Sequence, residues 1–323
     1  MGHTYAIGID IGGTNTDIGL VSGSGQVVRR RRLPTTEYHT AADYMRAIGE
    51  TIQQLMAEQE LPSIRSIGIG APNGNPQTGS IEADTPNLNI KESIPFREVL
   101  GERFHVPVAL DNDANAAAFG EMIYGGAKNL RHFIMLTMGT GIGSGIVINR
   151  QILHGSTGTA GELGHAIVQP EGRLCGCGRK GCIEMYASAR GICQNYMDAA
   201  ARVQQPLTAE ATQALTCQMV GEAALTGDPI ALAAYDTTAY WLGIALANAV
   251  AFSAPEAIFL MGGPTRAGEA LMKPLKHYFE ENLLFLYKNR VQLRFSELNL
   301  NEAAILGTAA LGEAATSAVP HAQ

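Results

Sequence analysis

The 323-residue chain has no basic, apolar, small-residue start of the kind that marks a signal peptide; an apolar run at residues 6–9 leads straight into Asp10. It also lacks a long hydrophobic run. The most apolar stretch, residues 242–254, is interrupted by Asn248 and closed by Pro255. That is too short to cross a bilayer and predicts a buried helix, so no membrane partner is expected. Neither sign of charge dominates: 23 Lys+Arg stand against 30 Asp+Glu, a formal net charge of −7, which argues against a chain built to coat nucleic acid. Cysteine is scarce. Five residues, an odd number, with Cys175, Cys177 and Cys182 crowded together, fit poorly with a disulfide framework. The pattern GxxxxGK[ST] is absent, which excludes a P-loop. With 46% hydrophobic and 16% charged residues, a coiled coil, a collagen-like rod and a disordered tail are excluded as well, and the length suggests two domains. A cytoplasmic enzyme is the expectation that remains.

Two segments resemble each other. Residues 5–22 (YAIGIDIGGTNTDIGLVS) and 132–149 (HFIMLTMGTGIGSGIVIN) each run from an apolar strand through a Gly/Thr-rich turn into a second strand. Offset by 127 residues, Gly12 lands on Gly139 and Asp10 on Thr137. Two hairpins, one opening each half, predict a duplicated α/β architecture. Helical spacing of Ala41, Tyr44, Met45, Ile48, Ile52, Leu55 and Met56 predicts a helix over 40–59, stopped by Pro62. Strands are expected at 64–71, 106–110 and 257–261, and helices at 114–124, 189–202, 228–252 and 300–312. Asn112 or Asp113 can cap the helix at 114. The alternation is that of an α/β protein with mixed sheets. The expected division is residues 1–117, joined by the C-terminal helix 300–323, and a larger domain 118–299.

In Asp10-Ile11-Gly12-Gly13-Thr14, two glycines let backbone N–H groups approach a phosphate, Thr14 adds a hydroxyl, and Asp10 is placed to hold Mg²⁺ through water. A plain tight hairpin explains the same residues; the second loop, Met138-Gly139-Thr140-Gly141-Ile142-Gly143, raises the phosphate reading above it. That loop is not a dinucleotide fingerprint, because it continues into a strand rather than a helix. Met261-Gly262-Gly263-Pro264 follows a strand and admits either a flat ligand such as adenine or an ordinary strand-to-helix turn. Asp111-Asn112-Asp113-Ala114-Asn115 places carboxylates and amides at a strand's C-terminal end, where one carboxylate can take the proton of an attacking hydroxyl. Arg29 to Arg32 are most simply a solvated strand edge.

The most specific pattern is His165 followed by Cys175, Cys177 and Cys182, the ligand set of a closed, structural Cys₃His zinc site. Three unrelated buried cysteines or a redox couple are the alternatives; Cys-x-x-Cys spacing is missing. Glu162, His165 and Glu184 lie beside this pattern. They read either as surface groups or as acceptors for paired sugar hydroxyls, with the second His165 nitrogen free to donate.

Together, DIGGT at 10–14, NDAN at 112–115, GTGIG at 139–143, GELGH at 161–165, CGCGRKGCIE at 175–184 and GG at 262–263 resemble the ROK family of repressors and sugar kinases, most closely its bacterial glucokinases. The resemblance spans roughly residues 5–310. It implies the actin-like ATPase fold, two RNase H-like domains with sugar and nucleotide in an interdomain cleft. It implies ATP-dependent phosphorylation of glucose at the 6-hydroxyl, with Asp113 as general base and Asn112, Glu162, His165, Glu184, Gly74 and Asn87 around the sugar. Asp10, Gly12, Gly13, Thr14, Asn15, Gly139, Thr140, Gly262 and Gly263 would then serve the nucleotide and its Mg²⁺. His165, Cys175, Cys177 and Cys182 would hold structural Zn²⁺, and a homodimer is expected. Other hexoses or N-acyl hexosamines (fructose, allose, N-acetylmannosamine, N-acetylglucosamine) remain possible substrates, as does a sugar sensor without catalysis. Family members often carry Lys after DIGGT; here Asn15 stands in its place. Only nine residues precede Asp10, so no DNA-binding module is expected ahead of it.

Overall fold

The computed structural model describes residues 5–61, 63–85 and 88–318. Its chain falls into two compact units. The first comprises Met1–Asn129, Arg150–Ala160 and Glu297–Gln323, the second Leu130–Asn149 and Gly161–Ser296. Residues 118–129 go with the first unit because the helix Asp113–Ile123 runs unbroken through position 117.

In the first unit, strands Val27–Pro34, Asn15–Ser22, Tyr5–Ile11, Ser66–Gly70 and Val108–Asp111 lie side by side in that order. The first three are antiparallel, and Tyr5–Ile11, Ser66–Gly70 and Val108–Asp111 are parallel. One face is covered by the helices Ala41–Ala57 and Phe96–Phe104, burying Ile7, Ile9, Ile18, Tyr44, Ile48 and Phe96. The capping of the first of these helices is local: Thr40 Oγ1 accepts the N–H of Asp43. Against the other face lie Asp113–Ile123 and the closing helix Ala303–Ala318. Glycines at the sheet let that closing helix approach: a methyl group at Gly68 would fall 1.8 Å from the Thr308 carbonyl oxygen. The C-terminal helix is thus built into the first unit. The arginine-rich strand Val27–Pro34 is indeed the sheet's edge, and Arg32 meets Asp17 through two hydrogen bonds of 2.9 and 2.8 Å.

The second unit repeats this order: Ile142–Ile148 beside Phe133–Met138 beside Ala257–Gly262 beside Gln292–Phe295, the first pair antiparallel and the others parallel. Pro229–Ser253, 25 residues capped by Asp228 and opened by proline, is long and apolar enough by length and composition to cross a membrane. Its small and apolar residues Ala234, Tyr235, Ala239, Leu242, Leu246 and Val250 instead form the core of this unit.

Candidate active site

The first unit gathers its acids at the C-terminal end of the parallel strands. Asp10, one residue before the end of its strand, pairs with Asp17. Burial first, then the negative charges of Asp113 and Asp17, push the Asp10 carboxyl up to about 7. Asn112 caps the helix Asp113–Ile123 through its Oδ1, which accepts the Asn115 N–H at 2.7 Å. Asp113 is therefore the helix's first residue. Its Oδ1 accepts the Ala114 N–H at 2.8 Å, and its side chain remains open to solvent. Surrounding protein nonetheless desolvates the carboxylate and raises its pKa, with the N–H groups of Ala114 and Asp113 pulling the other way. Surface access decides whether a hydroxyl can reach Asp113; the low-dielectric mass around it sets how readily it takes a proton. Gly12 N–H bonds to the Asn15 carbonyl at 2.9 Å and closes the glycine turn, leaving Thr14 and Asn15 exposed. Gly74 packs against the strand below Asn112: a methyl there would fall 2.7 Å from the Asp111 carbonyl oxygen.

The second unit holds a cavity of about 550 Å³, within the range of small-ligand pockets. Gly139 and Thr140 form one wall, Gly263 and Pro264 a second, and Gln218 and Glu222 a third. Gly262 has φ +125°, and a methyl there would lie 1.9 Å from the Met138 carbonyl oxygen, so backbone must sit where a side chain cannot. Gly139 and Gly263 have nothing within 4 Å of that position. Their missing side chains leave open space at the cavity wall. The helix Ala189–Arg202 starts at this loop, with the Ala189 N–H donating to the Gly139 carbonyl at 2.8 Å. Glu184 Oε2 accepts the N–H of Ile142 at 3.0 Å, which ties the glycine loop to the cysteine segment.

In that segment the ligand atoms of His165, Cys175, Cys177 and Cys182 lie within 4.8 Å of one another, and none of the thiols is in a disulfide. Cys177 Sγ is 3.6 Å from Cys182 Sγ, and Cys175 Sγ is 3.7 Å from His165 Nδ1. A tetrahedron of Zn–S bonds near 2.3 Å has edges of about 3.8 Å, so the cluster fits zinc. The Arg179 backbone N–H and then its guanidinium draw the Cys177 thiol down to about 6, whereas burial pushes Cys182 up to about 12. Nδ1 of His165 is the nitrogen turned to the sulfurs, which leaves Nε2 for another partner. Glu162 is exposed and precedes the turn Leu163–His165.

The profile of the ROK family matches residues 6–315. This chain belongs to the ROK family. It is 35% identical to the glucokinase of Halalkalibacterium halodurans over 95% of this chain and 94% of that one. The glucokinase of Thermotoga maritima is 32% identical over 94% and 96%. The crystal structure of a ROK family glucokinase from Streptomyces griseus in complex with glucose and AMPPNP is 30% identical, with a TM-score of 0.78 over 97% of this chain and all of that one. The fold is accordingly the actin-like ATPase fold of ROK proteins, as the motifs imply.

Among the ROK motif residues, the structure brings Asp10, Asn112, Asp113 and Gly74 together in the first unit, and Gly139, Thr140, Glu184 and Gly263 in the second. Asn87 lies outside the described residues, as does Pro62. Two features escaped the motifs. The helix Cys217–Leu225, capped by Thr216, lines the cavity; its Thr cap before a run of helix formers was a usable signal. His154 meets Asp111 through a 2.6 Å bond, a pairing that no local spacing announces.

Proposed function

We infer that this ROK protein is an ATP-dependent glucokinase, transferring the γ-phosphoryl group of MgATP to the 6-hydroxyl of glucose. The similarity to glucokinases over nearly the whole length of both chains carries the reading. Phosphoryl transfer asks a protein for alignment and charge neutralisation more than for covalent chemistry. Asp113, at the head of its helix with one oxygen held by the Ala114 N–H, serves as general base: it orients the sugar hydroxyl and accepts its proton late in the transfer. A raised pKa makes it a better proton acceptor than an ordinary carboxylate. Asn112, Glu162, Glu184, Gly74 and the free Nε2 of His165 hold the other hydroxyls. Asp10 faces Mg²⁺ of the nucleotide complex, the turn at Gly12, Gly13, Thr14 and Asn15 faces its phosphates, and the cavity of Gly139, Thr140 and Gly263, with Gly262 supporting it from behind, takes the adenosine end.

Zinc, bound by His165, Cys175, Cys177 and Cys182, would be closed to substrate and would hold the Glu162 and Glu184 segments in shape. A cytoplasmic location accords with the use of ATP and with reduced thiols. The family resemblance adds a homodimer; light scattering that gives 34.2 kDa at working concentration would remove it. The deciding assay is ADP release with ATP and a panel of glucose, fructose, allose, N-acetylmannosamine and N-acetylglucosamine. Glucose should give the highest kcat/KM. A higher value for another sugar would reassign the substrate, and ATP turnover indifferent to every sugar would end the kinase reading.

A further inference from the structure

Asp111 ends the strand Val108–Asp111 and is only 1% exposed. A carboxylate so deeply placed needs hydrogen bonds on both oxygens. Oδ1 accepts the Asn112 N–H and the Asn115 side-chain amide, each at 2.8 Å. Oδ2 meets Nε2 of His154 at 2.6 Å. His154 comes from the distant segment Arg150–Ala160, which folds into the same unit. There the Ala160 N–H closes the segment onto the His154 carbonyl at 3.1 Å, and the Gln77 amide holds the Ser156 carbonyl at 3.3 Å. Asp111 thus joins its own strand, the cap of the helix that begins at Asp113, and a returning segment. Because a carboxylate oxygen accepts, Nε2 is the donor in this pair, and the same bond to Asp111 raises the imidazole pKa.

Asp113 has few bonds of its own beyond the Ala114 N–H and its own N–H. Its aim therefore depends on the backbone turn beneath it, and that turn hangs on Asp111. We propose that His154 is a positioning residue for phosphoryl transfer: by donating from Nε2 to the buried Asp111 carboxylate it fixes the Asp111-Asn112-Asp113 turn and so the direction of the Asp113 carboxylate. This rests on the reading of Asp113 as the base. A misplaced base costs rate steeply, whereas of the proposed sugar contacts Asn112 alone lies in this turn and the others keep their places.

The test compares His154→Ala with His154→Gln, whose amide nitrogen reaches about as far as Nε2. Two readouts are taken: steady-state kcat and glucose KM, and deuterium exchange of the backbone amides of residues 112–116 in the free protein. The alanine variant should lose at least about tenfold in kcat with glucose KM within about threefold, and its 112–116 amides should exchange faster. The glutamine variant should recover both to within about threefold of the parent. If the alanine variant fails to fold, His154→Asn, too short to reach Asp111, gives the same comparison. Unchanged kcat and exchange in His154→Ala, a glutamine variant as impaired as alanine, or a raised KM at constant kcat would each overturn the proposal. Should the parent protein phosphorylate no sugar, the glucokinase reading fails instead, and the exchange data alone decide whether His154 holds the turn.

Discussion

The two glycine turns occupy equivalent places in two sheets of the same strand order, yet they carry different chemistry. In the first unit the hairpin sets Asp10 across from Asp17, and its turn closes through Gly12 N–H to Asn15. In the second, Thr137 pairs with Gly143, and the turn closes one residue tighter, through Gly139 N–H to Gly141. One turn is acidic, with a carboxyl raised to about 7; the other is neutral, opening on a cavity. A triphosphate already carries abundant negative charge, so carboxylates near it are useful only with a cation or as proton acceptors. The duplicated scaffold thus differs at equivalent places: the first unit's turn carries carboxyl groups, and the second's supplies neutral backbone and open space beside a Cys₃His cluster.

The largest test of that difference is Asp113→Asn. Removing the proton acceptor while keeping the cap geometry should lower kcat by about 10²–10⁴-fold and leave glucose binding by calorimetry nearly unchanged. An equal loss in binding would mean that Asp113 is a sugar contact and that the first unit contributes no base. Next in size is Cys177→Ser. The second unit alone holds a closed ligand set among the described residues, so this variant should lose bound zinc by elemental analysis and unfold at lower temperature. Protein purified without chelators that contains no stoichiometric zinc would remove the staple from the comparison.

The pH profile follows in size. In the role proposed for it at Mg²⁺, Asp10 would have to be ionised, and its carboxyl is raised to about 7 by burial and by Asp113 and Asp17. Activity with limiting MgATP should therefore fall as pH drops through about 7, steepening toward tenfold per unit. Stability runs the other way. A carboxyl raised in the folded state binds more protons there than when unfolded, so its contribution to the metal-free protein is fullest below about 4 and is lost as pH rises to about 7. A kcat/KM that stays flat between about pH 7.5 and 5.5 would show that the acidic turn does not titrate as its surroundings require.

Much of this was legible in the chain. The hairpins, the cap at Asn112 and the cluster of His165 with Cys175, Cys177 and Cys182 all declare themselves by short-range spacing, because a turn, a helix N-terminus and a knuckle are local objects. The closing helix was visible as an apolar run, but its place on the sheet depends on Gly8 and Gly68, whose role shows only when Ile305 and Thr308 arrive. Likewise the helix Glu269–Asn282 has Pro274 within it, which hid it from propensity, and packing against Pro229–Ser253 supports it. His154 and Asp111 are 43 positions apart. Nothing in either neighbourhood marks them as partners, since a buried carboxylate takes whichever donor the fold delivers.

The smallest expected effect separates two neighbours in the second unit. A methyl at Gly262 would collide with the Met138 carbonyl and require a rare φ of +125°, so Gly262→Ala should destabilise the fold by about 2 kcal/mol or more. Gly263 meets nothing within 4 Å and lies on the cavity wall. There, alanine should leave the melting temperature within about 2 °C and glucose KM unchanged while raising ATP KM by roughly threefold to tenfold, because the methyl occupies space the nucleotide needs. An ATP KM untouched by Gly263→Ala would move the nucleotide out of this cavity. The neutral turn at Gly139 would then lose its assigned partner, even though the acidic turn kept its own.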